Sequence, residues 1–266
     1  MDDTPTRRFI DEVERAFAKH DPDFETWMPH QLKVLENWEG QNCEGKHLVH
    51  YPTGKGKTKI MLGMVAMSGY GVVVVIAPPI THSKWIHEGR MVGLKVIAMS
   101  HAKFRQKDVR LLRKTPIIVD EFHLLGGHTG KGWTKLDRAA AGLQAPVILG
   151  SATPNYNDAE RCYCIVHVLD PFGNRGGYLS WLYKHCQTES NPFGAEPKVT
   201  GFLNYKDAAA FLEDQPFVSY LPDDAPDIVV DYPIDHPELG REFEEYHLDD
   251  TRERVMASLM EIRQRR

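Results

Sequence analysis

The stretch Tyr51-Pro52-Thr53-Gly54-Lys55-Gly56-Lys57-Thr58 has the residue types of a loop that grips phosphate. Glycines let successive backbone N–H groups turn inward around an anion. A helix that starts just after them aims the positive end of its dipole at the same place. In such a loop Thr53, Gly54, Lys55 and Gly56 line the phosphates, Lys57 reaches the outer ones, and the Thr58 hydroxyl is a ligand for Mg²⁺. A magnesium–triphosphate cluster also needs a carboxylate at the end of a neighbouring strand. The run Ile117-Ile118-Val119-Asp120-Glu121-Phe122-His123 offers two. Asp120 suits the metal, directly or through water, and Glu121 suits a water attacking the γ-phosphate, as general base or orienting group. Acidic residues also simply open loops after core strands. The phosphate loop in the same chain is what turns this pair into a nucleotide site.

These side chains need a scaffold, and the hydrophobic pattern predicts one. An apolar run at 48–51 precedes the loop, and Ile60, Met61, Leu62 and Val65 follow it, the order of a strand, a tight turn and a helix. Further strands are expected at 72–77, 95–99, 117–119 and 147–149, with helical patterns near 82–88, 108–112 and 133–143. Strands that are apolar throughout and alternate with helices predict an α/β fold with a mostly parallel, doubly wound sheet. Right-handed crossovers then bring Gly54 and Asp120 to the carboxyl edge of that sheet, where such folds bind ligands.

Upstream, Thr6 can cap a helix that carries Phe9, Ile10, Val13 and Phe17, and a second helix starts near Pro29 with Leu32, Leu35 and Trp38 inward. After Pro154 the texture changes. Helices are expected at 156–168, 178–185 and 206–212, then a short extended pair at 217–220 and 228–232, then helices at 238–247 and 251–265. The expected organisation is an N-terminal helical segment, 1–45, a nucleotide-binding unit, 46–170, a mainly helical acidic extension, 171–250, and a final helix, 251–266.

Composition agrees with a globular chain. Hydrophobic residues make up 42% and charged residues 26%, and no apolar run is long enough to span a membrane. No basic-then-apolar leader opens the sequence, so a cytoplasmic location, in a bacterial or phage-infected cell rather than a nucleus, is the expectation. Cys43, Cys162, Cys164 and Cys186 have neither disulfide-framework nor zinc-finger spacing and are expected as reduced core thiols. The net charge of −5 hides a strong asymmetry. Residues 84–138 hold 12 Lys and Arg against 5 Asp and Glu, whereas residues 205–250 hold 2 against 14. The first segment can face phosphates or be a solvated face; the second can dock a basic partner or be a solvated face as well.

Gly150-Ser151-Ala152-Thr153-Pro154 follows the last of the expected core strands. A phosphate loop, then Asp-Glu-x-His, then Ser-Ala-Thr resembles motifs I, II and III of the superfamily-two helicases and translocases. Trp27-Met28-Pro29-His30-Gln31 with Trp38 is similar to the adenine-reading motif of the SWI/SNF-type branch. Val74-Val75-Ile76-Ala77-Pro78-Pro79 followed by Trp85 resembles its motif Ia, and Ser100-His101 stands where motif Ib is expected. The loop departs from the family pattern at Tyr51 alone. The resemblance implies a RecA-like lobe that binds ATP with Mg²⁺. Within it Gln31 selects adenine, Ser151 and Thr153 sense the γ-phosphate, and His123 links motif II to motif III through a hydrogen bond. It also implies a surface that tracks DNA, double-stranded and without regard to sequence, formed near Pro78, Lys84, Ser100 and His101, with Lys103, Arg105 and Lys107 adding charge.

Such motors have a second RecA-like lobe carrying motifs IV to VI and the arginine fingers that complete the site. No second parallel α/β set follows Pro154, so the chain is expected to be the first lobe alone, with the second on a separate polypeptide. Two other functions stay open beside this one. One is a strand-separating DNA or RNA helicase of another superfamily-two branch; the other is a nucleotide-dependent DNA-binding module that does not hydrolyse.

Overall fold

The computed structural model describes residues 8–108, 112, 114–142, 145–152, 159–170, 176–191 and 196–222. The expected cap at Thr6, the motif III residue Thr153, the extended segment 228–232 and the terminal helices 238–247 and 251–265 lie outside them, as does most of the helix expected at 108–112.

Two helices come first, α1 (Arg8–His20) and α2 (Pro29–Gly40). Strand β1 (Lys46–His50) leads through the glycine loop into α3 (Lys57–Met67). Then follow β2 (Val72–Ile76), α4 (His82–Met91), β3 (Lys95–Met99), α5 (His101–Gln106), β4 (Ile117–Asp120), α6 (Lys131–Gly142), β5 (Val147–Ser151) and α7 (Ala159–Leu169). The remaining elements are α8 (Tyr178–His185), β6 (Cys186–Glu189), β7 (Lys198–Phe202), α9 (Ala208–Glu213) and β8 (Val218–Tyr220).

Six strands form one parallel sheet in the order β3-β2-β4-β5-β1-β8. Helices cover both faces, as the unbroken apolar strands require. Alternation along each strand divides the core. Val49, Val73, Val75, Ile118 and Ile148 point to a layer made with α1 to α4, while Leu48, Val74, Ile76, Ile117, Val119 and Leu149 point to a layer made with α6 to α9. The Trp38 indole donates to the Met64 carbonyl at 2.9 Å and ties α2 to α3. This is a RecA-like α/β architecture. Cys43, Cys162, Cys164 and Cys186 are buried free thiols.

Three expectations need revision. Residues 176–222 are less helical than their pattern implied: β6 and β7 form an antiparallel pair of their own, with a register shift between Gln187 and Thr188. The extended segment at 217–220 pairs in parallel with β1, as β8. Position 170 is therefore no structural boundary, because the central sheet recruits its sixth strand from beyond it. Phe9, expected on one side of its helix with Ile10, Val13 and Phe17, is 46% exposed, while those three are buried.

Candidate nucleotide site

The glycine loop follows β1, and its two tightest points are Gly54 and Gly56, with φ of 81° and 78°. Only glycine takes such angles without steric cost. They let the chain reverse and start α3 at Lys57, so the N-terminal turn of that helix faces the loop. Thr53 and Gly54 are exposed; Lys55, Gly56, Lys57 and Thr58 are half-buried. The Lys57 ammonium donates to the carbonyls of Tyr51 (2.8 Å) and Pro52 (3.1 Å). Burial lowers its pKa, against the opposing pull of Glu121 and Asp120 and with the repulsion of Lys84.

Helix α2 braces this loop. Gln31 is buried, its amide N–H donating to the Lys55 carbonyl at 3.2 Å and its oxygen accepting from the Met28 N–H at 3.0 Å. It packs so closely that a Cβ on Gly56 would lie 2.2 Å from Gln31 Nε2. Tyr51, the departure from the family pattern, is buried, and its hydroxyl donates to the His30 carbonyl at 2.7 Å. Burial raises that phenol to about 12. The tyrosine thus anchors the loop entrance to α2.

On the other side of β5, Asp120 closes β4 and pairs in register with Gly150, while His50 of β1 pairs with Ser151. The strand that ends in Ser151 therefore lies between the loop strand and the acidic strand. Burial, then the neighbouring Glu121 charge, raise the Asp120 carboxyl, partly countered by the Trp85 indole, which donates to Oδ2 at 3.3 Å, and by Lys57. Such a carboxylate favours an arriving cation. A carboxylate such as that of Asp120 and a hydroxyl such as that of Thr58 are hard oxygen donors, the chemistry that Mg²⁺ takes.

Glu121 adopts a left-handed conformation, φ 51° and ψ 52°, which is sterically costly for a residue with a side chain. That turn directs its carboxylate towards β5. Ser151 Oγ donates to Glu121 Oε2 at 3.1 Å, and His123 Nδ1 lies 3.1 Å from Ser151 Oγ and 3.3 Å from Glu121 Oε2. With the serine proton given to Glu121, the histidine carries its proton on Nδ1 and donates. Burial lowers the His123 pKa, which keeps the ring neutral. The hydrogen bond of His123 thus runs to Ser151, at the end of β5.

The DNA-contact set is split by the structure. Pro78 caps a 3-10 turn, Lys103 is exposed, and Ser100 caps α5 by accepting the Lys103 N–H at 3.1 Å. Arg105 is exposed and donates to the Leu124 carbonyl at 2.6 Å. His101 is buried, and its ring bonds the Asp120 carbonyl at 2.9 Å. It supports the acidic strand end and presents nothing to a nucleic acid. Lys84, 3.8 Å from Glu88, adds its charge to the surroundings of Lys57.

Four contributors had no assigned role in the sequence reading. Trp85 steadies Asp120, His30 receives Tyr51, and Arg161 of α7 donates to the His123 carbonyl. The fourth, His50, stacks on Tyr220 with ring centroids 5.0 Å apart, and burial holds it down at about 4. Trp85 carried a signal in its spacing after Pro78-Pro79 and His30 in its place beside Gln31; Arg161 and His50 depend on elements far apart in the chain.

No family model matches the chain, and no curated protein matches it. Among solved structures it is similar to the SWI2/SNF2 ATPase core of Sulfolobus solfataricus in complex with dsDNA, at 17% identity and a TM-score of 0.49 over 60% of this chain and 39% of that one. The core domain of the same ATPase is similar at 16% identity and a TM-score of 0.48, over 60% and 38%. This chain spans about two-fifths of the length of those structures. Among the described residues, no helix is long and apolar enough to cross a membrane.

Proposed function

We propose that the chain is the ATP-binding lobe of a DNA-dependent ATPase motor of the SWI/SNF type. The reading rests on one convergence: Lys57 on one side of β5 and Asp120 and Glu121 on the other share an electrostatic neighbourhood at the carboxyl edge of the sheet. Lys57 exchanges its loop carbonyls for triphosphate oxygens. Thr58 and Asp120 would hold Mg²⁺, which would supply charge neutralisation at the phosphates. Glu121 positions the attacking water, and Ser151, bonded to it, registers the γ-phosphate and passes its loss to His123. Thr153 shares that sensing role. Gln31 reads adenine with an amide otherwise bonded to Lys55 and Met28, so base recognition and loop shape are linked.

The arginines that complete the γ-phosphate site come, in this proposal, from a second RecA-like lobe on a separate polypeptide carrying motifs IV to VI. Arg161, which reaches the acidic turn from within this chain, is bonded to the His123 carbonyl. Loss of an arginine finger costs about 10³–10⁵ in related phosphate chemistry, so the chain alone should bind Mg·ATP and turn it over feebly. The test is calorimetry with ATP and Mg²⁺, followed by hydrolysis assays with duplex DNA, single strands and RNA, each with and without the second-lobe polypeptide. Restored turnover that depends on duplex DNA supports the proposal. Vigorous stimulated turnover by the chain alone, or no heat with ATP and Mg²⁺, overturns it. Stimulation only by single strands or RNA moves the chain to a strand-separating branch.

A further inference from the structure

An open groove of about 420 Å³ beside α5 and α6 is lined by Arg105, Thr129, Lys131, Thr134, Lys135 and Arg138. Four of these six residues are cationic, and the other two are hydroxyl donors. Lys131, Lys135 and Arg138 stand at i, i+4 and i+7 of α6, so they share one face, about 5–6 Å apart at Cβ from one turn to the next. They extend over about 10 Å of helix axis. Arg105 faces them from α5. The Lys135 ammonium donates to the carbonyls of Arg105 (2.7 Å) and Lys107 (2.5 Å), which fixes the two walls together.

We infer that this groove seats the sugar–phosphate backbone of duplex DNA. The inference rests on the motor reading and specifies where in it the nucleic acid is held. The lining decides between kinds of anionic partner. A protein partner needs an apolar or aromatic anchor at the centre of its interface, and among the described residues no such side chain lines the groove. Single strands are held by bases stacked on aromatic rings, and the described lining has none. Cations and hydroxyls without any base-reading or stacking surface are the chemistry of sequence-independent phosphate contact. Position adds a second argument. Arg105 donates to the carbonyl of Leu124, in the turn that also holds His123, so the groove and the hydrolytic turn share a hydrogen bond.

Lys131 and Arg138 are exposed and suit charge reversal. Binding of a fluorescein-labelled duplex is followed by anisotropy, without nucleotide, at several salt concentrations. The absence of nucleotide separates the result from any failure of ATP binding or hydrolysis. Lys131→Glu with Arg138→Glu should weaken binding at least tenfold and lower the slope of log K against log salt by about two, one per lost phosphate contact. The neutral pair Lys131→Gln with Arg138→Gln should lower the slope by the same amount, and serves if the reversed pair melts early. A control reversal on α1, Arg15→Glu with Lys19→Glu, should leave the slope within experimental error. An unchanged slope in the groove variants overturns the inference. So does an equal loss in the control, which would make net charge the cause, or tighter binding of single strands than of duplex by the unaltered chain.

Discussion

The two halves of the nucleotide site are held in opposite ways. On the loop side, the group that must meet phosphate is already bonded to its own loop: Lys57 donates to two carbonyls, and Gln31 closes over Gly56 and Lys55. On the acidic side the supporting groups come from elsewhere and fix the carboxylates from behind. Trp85 reaches Asp120 from α4, His101 takes its carbonyl from α5, and Ser151 and His123 hold Glu121. In the proposed function, ligand binding exchanges bonds in the loop, whereas the acidic turn is already bonded in the free chain. Preorganised charge is the less costly arrangement where a reaction takes place, and exchangeable bonds suit the part that must admit and release a ligand.

The contrast breaks most sharply through paired substitutions. Lys57→Ala should abolish measurable Mg·ATP binding in calorimetry. Glu121→Gln should leave that affinity within a few-fold and lower turnover, assayed with duplex DNA and the second lobe, by about 10²–10⁴. Equal losses of affinity in both variants would mean that the two sides do not divide the work this way.

Acid is the next largest perturbation, and it acts on the strand that feeds the loop. His50 and His47, both of β1, are held at about 4 by burial, below the ordinary 6.5. The unfolded chain therefore binds protons that the folded one refuses. Stability is complete above pH 6.5 and falls as the pH drops towards 4, by up to about 3 kcal/mol for each histidine. Urea titrations across that range should show it. His50→Phe, which keeps a ring against Tyr220, should flatten the slope.

Gly56→Ala probes the closure of α2 over the loop. It introduces both a strained φ and a collision with Gln31, and should cost about 1–3 kcal/mol in denaturant melts. Adding Gln31→Ala should recover the steric part and leave the backbone part, a coupling that a double-mutant cycle reads directly. The smallest expected effect is on the preset side. Trp85→Phe removes the indole bond to Asp120 and should weaken the apparent Mg²⁺ affinity about fivefold, near 1 kcal/mol, with ATP affinity measured at saturating Mg²⁺ unchanged.

Much of this site could be read before any fold was known. The loop residues 53–58 and the carboxylates of Asp120 and Glu121 follow from local spacing at strand ends, whereas a hydrogen-bonding role for His123 came only from the family resemblance, and its partner Ser151 from the structure. Apolar strands, glycine turns and acidic strand ends are short-range features, so a few consecutive residues suffice to state them. His101 shows where such reading fails. Its position after β3 matched a nucleic-acid contact, but the packing of α5 beside β4 turned its ring to Asp120.

Sequence alone determined the alternation that makes a parallel sheet, and it supplied the residue types on which the proposed chemistry rests: the glycine loop, Asp120 and Glu121. Tertiary structure decided the rest. It put β5 between the two halves of the site, drew β8 into the central sheet from beyond position 170, and braced the loop with Tyr51 and Gln31. It also gathered Arg105 and the α6 cations around one groove. The physical reason is range. Residue types and spacing fix what a segment can do, but strand order and helix packing join residues a hundred positions apart, and neither is written in any one segment.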